Sequence, residues 1–424
     1  MAHNLPSGLS LAPFRALRPT AGPERLGRLL CPPFDVIDDR TRERLLAGDA
    51  QNAVAVILPD PTPAGYEQAG ARLRGWIDSG LLAVDDDPAL FVYEMRTPDG
   101  AATRGLLGAV ELRDPAEGVI LPHENTMAGP VADRLAVMTA TGADLEPIYL
   151  AYDGGGAASD LVKNAETGVQ VAQATTADGT THRLWALRDP AEHRAVTEDL
   201  ADRRALIADG HHRYATYLER QRRLREASGA GPWDRGLALL VDSSEYGPQV
   251  HAIHRVVAGL PLRAALSGLG ADAQTTSAGE ALEQALVGAE HIEGFAAVLT
   301  DGEDAVLVTD PSGVLRAAAA RPGDVPALAN LDVSVVHRGL IERLWGLRDT
   351  EEVVGYAHSV AEAVEAARAG NGLAILMRPT PVAAVAEVAA AGARMPRKST
   401  LFTPKPASGL VMRRLGDQLA GPTG

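Results

Sequence analysis

One short segment constrains the fold of this chain more than any other: an apolar run that ends directly in an Asp-Gly pair. The run from Arg204 to Ala208 predicts a short buried strand, and helix-forming residues follow to about Ala227. Asp209 and Gly210 stand between the two. Because glycine adopts positive φ angles without steric conflict, it suits a tight connection. The segment therefore predicts a strand-to-helix turn.

The residues of this turn suit a phosphate ligand. A helix N-terminus directs backbone N–H groups and the positive end of its dipole at a bound anion. Arg213 adds a planar fork of donors, and His211 and His212 can donate hydrogen bonds or move a proton near neutral pH. Asp209 can hold a metal ion or orient a hydroxyl. In a plainer alternative, Asp209 only caps the helix and Gly210 is an ordinary turn residue.

Composition narrows the class of protein. A chain of 424 residues is long enough for two or three domains, and 46% hydrophobic with 22% charged residues is typical of a soluble core. A formal net charge of -15 argues against a nucleic-acid partner, whereas a small phosphorylated ligand can still be bound by a few local donors. A single cysteine, Cys31, rules out an intrachain disulfide framework and a cysteine-based zinc site.

The sequence shows no sign of a membrane partner. Met1 to Leu11 lack a basic region followed by a long apolar run, and no apolar stretch approaches the roughly 20 residues that span a bilayer. We therefore expect a cytoplasmic protein; the sequence does not predict its oligomeric state.

The pattern of apolar residues predicts an α+β (mixed α/β) fold, because adjacent strands and interleaved helices alternate irregularly. The predicted strands include residues 53–58, 89–96, 103–112 and 249–256, and the predicted helices include 39–47, with Asp38 as N-cap, and 65–79. We expect a core domain over residues 1–230, which holds the His123-Glu124 loop and the Asp209–Arg213 turn. A second α/β domain is expected over residues 231–424 and ends in the Lys398–Lys405 loop.

A polar segment before a predicted helix holds His123 and Glu124. A carboxylate in such a loop can act as general base on a substrate hydroxyl, and the histidine can orient it or stabilise charge. The alternative is a surface loop in which Glu124 caps the next helix.

Basic and hydroxyl residues cluster near the C-terminus, as Lys398, Ser399, Thr400 and Lys405. Because phosphoryl transfer depends mainly on positioning and charge neutralisation, such donors are useful opposite Arg213. A solvated charged loop is the alternative interpretation.

Two further charged residues are candidates for substrate binding. Asp35 follows two prolines that hold the chain extended, and it can bind a substrate amino group or serve as a turn residue. Arg134, in a predicted helix, can contact a phosphate or carboxylate or form an ordinary salt bridge. Neither a Walker-type phosphate loop nor a Gly-x-Gly-x-x-Gly after a strand occurs, which excludes the usual nucleotide folds.

Four separated motifs resemble a widespread prokaryotic family known only as a conserved domain of unknown function. They are Pro33-Phe34-Asp35-Val36-Ile37, His123-Glu124-x-Thr126 with Pro130 and Asp133-Arg134, Ala208-Asp209-Gly210-His211-His212-Arg213-Tyr214, and Met395-Pro396-Arg397-Lys398-Ser399-Thr400 with Pro404-Lys405 and Gly409-Leu410-Val411. Phe34 and Phe402 stand where this family is expected to have tyrosine. The third motif also resembles the signature turn of the ParB/sulfiredoxin superfamily, which includes free-serine kinases. His211 replaces the sulfiredoxin cysteine, so reductase chemistry is excluded.

The resemblance implies a ParB/sulfiredoxin-like phosphate-binding core and a phosphotransferase that acts on free serine, O-phosphoserine or a similar small hydroxy compound. Members are often encoded beside phosphoserine-pathway enzymes. ATP, ADP or pyrophosphate would donate or accept the phosphate, and Mg²⁺ would bridge Asp209 to it. Glu124 would be the base or His212 the acid. The alternatives are a phosphoserine phosphatase, a ParB-like nucleotide-binding switch and a non-catalytic scaffold.

Overall fold

The computed structural model describes residues 8–269, 274–279, 282–350 and 352–418. The chain forms two compact units. The first comprises Met1–Pro122, Thr126–Pro248 and Pro404–Gly424, and the second comprises His123–Asn125 and Gln249–Thr403. This division differs from the predicted boundary at residues 230 and 231, because later strands and the C-terminal segment pack within the first unit.

A mixed sheet forms the centre of the first unit. Its nine described strands run antiparallel except for two parallel pairs, which confirms the mixed α/β prediction. In spatial order they are Ile120–Leu121, Ala205–Asp209, Ile148–Tyr152, Arg235–Asp242, Ala102–Glu111, Leu90–Arg96, Thr181–Leu187 and Val169–Thr175, with Leu11–Ala12 also paired to Ala102–Glu111. Two small ladders join Leu17–Pro19 to Leu82–Val84 and Ala143–Asp144 to Arg413–Arg414.

Helices accompany this sheet in the first unit, and all of them except Asp39–Gly48 bury side chains. They are Pro23–Leu29, Asp39–Gly48, Val54–Ile57, Pro63–Asp78, Ala128–Thr141, Ala157–Lys163, Pro190–Leu200 and His211–Ser228, with short 3₁₀ turns at Phe34–Val36, Pro115–Glu117, Ala165–Thr167, Pro232–Asp234 and Leu415–Gln418. The Asp38 carboxylate accepts the Thr41 N–H at 2.8 Å, as predicted for an N-cap. No described helix combines the length and apolar character that crossing a membrane requires.

The strand predicted at residues 53–58 is wrong. Val54–Ile57 forms a short helix whose four residues are all buried. A short continuous apolar run suits a buried strand or a buried helical turn equally well. The Asn52 side chain accepts the Val54 N–H at 2.9 Å, which starts the helical turn.

The second unit is built on an antiparallel sheet of six described strands. In spatial order they are Gln274–Gly279, Ala305–Thr309, Ala296–Thr300, Leu373–Met377, His254–Val257 and Val354–Ala357, and a separate ladder pairs Gln249–His251 with Leu401–Thr403. Its helices are Leu262–Leu269, Leu282–Glu290, Val314–Ala319, Pro326–Ala329, Asp332–Ser334, which continues as a π-helix over Val335–Leu344, Val360–Ala369 and Val382–Ala390. The single strand predicted over 249–256 is therefore wrong, since its two halves pair in different sheets.

Candidate functional site

The predicted strand-to-helix turn is present in the first unit. The strand Ala205–Asp209 is buried along its whole length, and the helix His211–Ser228 begins two residues after it ends. Gly210 joins them with a φ of 93° in the left-handed region. A Cβ at this position would be strained at this φ and would also lie 3.1 Å from the Arg213 guanidinium, so the conformation favours glycine and the space around it is tight.

Arg213 supports this turn from inside the protein. Its guanidinium donates to the Asp209 carboxylate and to the Pro147 carbonyl, and the residue is only 2% exposed. Burial lowers the pKa of Arg213, but the nearby Asp209 and other carboxylates outweigh it, so the pKa is raised and the group stays charged. The predicted fork of donors is thus largely occupied by the protein itself.

Lys405 brings two of the separated motifs to this turn. Its Nζ lies 2.6 Å from Asp209 Oδ1 and 3.1 Å from Asp35 Oδ2. The side chain of Lys405 is 17% exposed, so it is not fully enclosed by the protein. Burial lowers the pKa of Lys405, yet the attraction of Asp209 and Asp35 is stronger and raises the pKa above its ordinary value. Three residues predicted from three motifs therefore form one charged cluster.

Asp35 is the most accessible member of the cluster, with its side chain 42% exposed. It lies in the 3₁₀ turn Phe34–Val36, after the predicted extended prolines. Burial raises the pKa of Asp35, but the attraction of Lys405 and Arg213 outweighs this effect and lowers the pKa below its usual value. Asp35 is accordingly held as a carboxylate.

Glu146 links the segments that position this cluster, and sequence reasoning missed it. The residue is 4% exposed, and Oε1 accepts hydrogen bonds from the Phe34 N–H at 3.1 Å and from the Ser408 hydroxyl at 2.8 Å. It therefore fixes the turn of Asp35 and the segment of Lys405. A glutamate before a proline, as in Glu146-Pro147, carries no sequence signal for burial.

Arg134 forms several contacts within the protein. Its guanidinium bonds the Asp133 carboxylate at 2.6 and 2.9 Å, donates to the Ile57 carbonyl at 2.6 Å and stacks 4.1 Å from the centre of the Phe34 ring. Only 3% of Arg134 is exposed. Its pairing with Asp133 corresponds to the ordinary salt bridge that was one of the two alternatives for this residue.

The two histidines of the turn differ in their surroundings. His211 is buried, whereas His212 is half-buried and its Nε2 accepts the Met127 N–H at 3.1 Å. A ring nitrogen that accepts a hydrogen bond carries no proton, so neutral His212 is protonated on Nδ1. Nε2 of His212 is thus not poised as an acid in this state.

The remaining predicted residues belong to the second unit. His123 is fully buried, with Nε2 3.1 Å from Thr400 Oγ1 and its ring packed against Phe402. Ser399 Oγ donates to the Pro396 carbonyl at 2.5 Å. Lys398 is exposed and Glu124 is half-buried. The Ser399 hydroxyl therefore bonds within its own turn, and the Thr400 hydroxyl contacts His123.

The cluster does not suit the predicted magnesium ion at Asp209. Asp209 Oδ1 faces Lys405 and Oδ2 faces Arg213, so a further cation at this carboxylate would meet two positive charges. In the part of the chain that the structure describes, no group of three or more His, Cys, Asp or Glu side chains is arranged to hold a metal.

The fold and this cluster define a mixed α/β protein. Gly210 precedes the N-terminus of a helix there, and ion pairs among Asp209, Arg213, Lys405 and Asp35 lie beside it. Residues 11–334 match the profile of the family described as a protein of unknown function (DUF1015), and the chain belongs to this family. No curated protein matches the sequence.

Solved structures with some similarity include a free serine kinase in complex with AMP (17% identity, 67% of this chain and 83% of that chain, TM-score 0.33). Others are a conserved hypothetical protein from Pyrococcus furiosus (16%, 71% and 94%, TM-score 0.34) and SbnI with a C-terminal truncation from Staphylococcus aureus (10%, 71% and 85%, TM-score 0.35). Similarity at this level carries no argument about activity, and the relation to the ParB/sulfiredoxin superfamily stays a prediction.

Proposed function

We propose that this protein is a phosphotransferase that acts on free serine, O-phosphoserine or a similar small hydroxy amino acid, with ATP, ADP or pyrophosphate as the phosphate donor or acceptor. One observation carries the proposal. The Lys405 ammonium, bridged between Asp209 and Asp35, lies beside the N-terminal turn of an 18-residue helix.

The Lys405 ammonium and the helix N-terminus suit a phosphate because both supply positive charge, and binding would require only a small movement of the lysine side chain. Lys405 is partly exposed, and a phosphate can take over one of its two carboxylate contacts. The helix that starts at His211 adds the positive end of its dipole. Arg213 and Gly210 then act as the supports that fix the direction of this helix start.

Asp35 suits the amino group of the substrate. Once Lys405 turns to a phosphate, the Asp35 carboxylate is left with an exposed face that attracts an ammonium group. A lowered pKa makes Asp35 a weak proton acceptor but a good permanent anion. We therefore assign Asp35 to substrate binding.

In the transfer step, the serine hydroxyl oxygen attacks the terminal phosphorus of the donor. The new O–P bond forms as the bond from phosphorus to the bridging oxygen of the donor breaks, and the hydroxyl proton passes to solvent. Lys405 and the helix N-terminus stabilise the charge that develops on the leaving oxygen. The reverse direction would make serine from O-phosphoserine.

Phosphorus NMR tests the proposal directly. Purified protein is incubated with serine and ATP, ADP or pyrophosphate, and separately with O-phosphoserine and each acceptor, with and without Mg²⁺. We expect O-phosphoserine to form or disappear with at least one partner, and Lys405→Met to slow this by about 100-fold or more. Lys163→Met is the matched control, since Lys163 is an exposed lysine of the same unit whose ammonium pairs with the exposed Glu245.

Other results would identify the rival functions. Phosphate release from O-phosphoserine to water, without an acceptor, would indicate a phosphatase. The absence of turnover in every mixture, with a melting temperature that rises when nucleotide is added, would contradict the transferase and support a nucleotide-binding switch.

A further inference from the structure

A chain of three polar side chains runs through the second unit: Arg255 and His337 are buried, and Asp349 is half-buried. Arg255 is 1% exposed, and its Nε donates to His337 Nε2 at 2.9 Å. On the other side of the ring, His337 Nδ1 lies 2.9 Å from Asp349 Oδ2. Because arginine can only donate, Nε2 accepts and the ring proton is on Nδ1, from where it is donated to Asp349.

The other end of Arg255 holds the backbone of the Met395–Thr400 motif. The guanidinium donates to the Lys398 carbonyl at 2.9 Å and to the Arg397 carbonyl at 3.3 Å. The Tyr356 ring lies 5.3 Å from the guanidinium carbon. One buried cation thus bridges the histidine to two successive carbonyls of an exposed turn.

The backbone that Arg255 holds is unusual. Lys398 has a φ of 54°, in the left-handed region that residues with a Cβ rarely adopt. Such a conformation persists only where the surrounding structure enforces it, and it is common at binding sites. The side chain of Lys398 is nevertheless exposed, so packing of that side chain does not explain the conformation.

His337 itself lies in an unusual element. The helix that begins at Asp332–Ser334 continues as a π-helix over Val335–Leu344. π-helical turns are rare and occur frequently at functional sites. Here the π-helix carries the residue that connects Asp349 to Arg255.

We infer that Asp349, His337 and Arg255 are positioning residues that hold the Arg397–Lys398 turn with Lys398 in its left-handed conformation, and so orient the exposed Lys398 ammonium of the second unit to bind the phosphate group of a ligand. The identity of that ligand rests on the proposed function, but the ordering of the turn does not. Burying an arginine is unfavourable unless its donors are satisfied, and three of the acceptors of Arg255 are His337, Lys398 and Arg397.

Limited trypsin digestion measures the order of the turn without any assay of activity. Trypsin cleaves after Arg397 and Lys398, and an ordered left-handed turn resists the extended conformation that the protease needs. Arg255→Lys keeps the charge and removes the fork, so we expect cleavage at these two bonds to accelerate about tenfold or more. Arg263→Lys, at an exposed arginine of the same unit, is the control and should not change the rate.

A rescue variant separates positioning from general destabilisation. His337→Leu should accelerate the same cleavage, whereas His337→Gln keeps an acceptor for Arg255 and should restore most of the protection. The melting temperature of each variant is measured in parallel. Unchanged cleavage in both Arg255→Lys and His337→Leu, or equal cleavage in the leucine and glutamine variants, would overturn the inference.

A double-mutant cycle tests whether the three residues act through Lys398. Titration calorimetry with O-phosphoserine should show about a tenfold loss of affinity for Arg255→Lys in the natural sequence and less than about a twofold loss in the Lys398→Met background. Equal losses in both backgrounds would show that Arg255 does not act through Lys398. If O-phosphoserine does not bind at all, the proposed function fails, while the digestion still decides whether the relay orders the turn.

Discussion

Two lysines of the C-terminal motif, Lys405 and Lys398, are held in opposite ways. Lys405, in the first unit, is fixed through its side chain, because Asp209 and Asp35 share its ammonium. Lys398, in the second unit, is fixed through its backbone, because Arg255 binds its carbonyl while the side chain remains exposed. The charge of the first lysine is balanced by two carboxylates, whereas the second lysine is exposed.

A buried histidine is connected to the segment of each of these lysines through one other side chain. In the first unit, His182 Nδ1 lies 2.8 Å from the Tyr93 hydroxyl, which accepts the Ala407 N–H at 3.1 Å two residues from Lys405. In the second unit, His337 plays the corresponding part. Burial lowers the pKa of both imidazoles, that of His182 to about 4, so both act as neutral hydrogen-bonding groups near pH 7.

Removing the ammonium of Lys405 should have the largest effect. Lys405→Met leaves Asp209 and Asp35 without their shared cation in a largely buried site, and we expect the free energy of unfolding to fall by about 3 kcal/mol. Urea denaturation measures the change, with Lys163→Met as the control. A loss no larger than that of the control would mean that the two carboxylates do not depend on Lys405.

Acid should weaken the first unit through His182. The unfolded imidazole has a pKa of about 6.5, and the folded one about 4, so the unfolded state binds more protons between these values. The stability linked to His182 is complete above about pH 6.5 and is lost as the pH falls toward 4, by about 3 kcal/mol in total. Denaturation curves at several pH values measure this, and His182→Gln should flatten the dependence. An unchanged slope in His182→Gln would show that His182 is not the group responsible.

Each unit has a residue with a left-handed backbone near one of these lysines. In the first unit it is Gly210, next to the Asp209 that binds Lys405, and in the second unit it is Lys398 itself. Gly210→Ala would place a Cβ at a φ of 93° and 3.1 Å from the Arg213 guanidinium, so we expect about 1–2 kcal/mol of destabilisation in urea. Lys398→Gly should instead leave the stability within about 1 kcal/mol, because strain relief offsets the added flexibility of the unfolded chain. Equal losses at the two positions would contradict this contrast.

The local elements could be predicted from the sequence, whereas the partners of the charged residues could not. The strand, Gly210 and the helix after it follow from an apolar run, a glycine and helix-forming residues, all of them local signals. The bridge from Lys405 to Asp209 and Asp35 joins residues about 200 and 370 positions apart, and only the folded sheet defines it. Glu146 shows the same limit, because its burial depends on segments from both ends of the chain.

Replacing Lys398 should have the smallest effect on stability and so completes the contrast with Lys405. The ammonium of Lys398 is exposed, and Lys398→Met leaves the carbonyl that Arg255 binds, so we expect the free energy of unfolding to change by less than about 0.5 kcal/mol. If Lys398 faces a phosphorylated ligand, the affinity for O-phosphoserine should still fall about tenfold in calorimetry. A large loss of stability with unchanged affinity would reverse the comparison, since Lys398 would then be the structural lysine. Measuring the free energy of unfolding and the affinity for O-phosphoserine for variants of both Lys405 and Lys398 therefore distinguishes a lysine that stabilises the fold from one that binds a ligand.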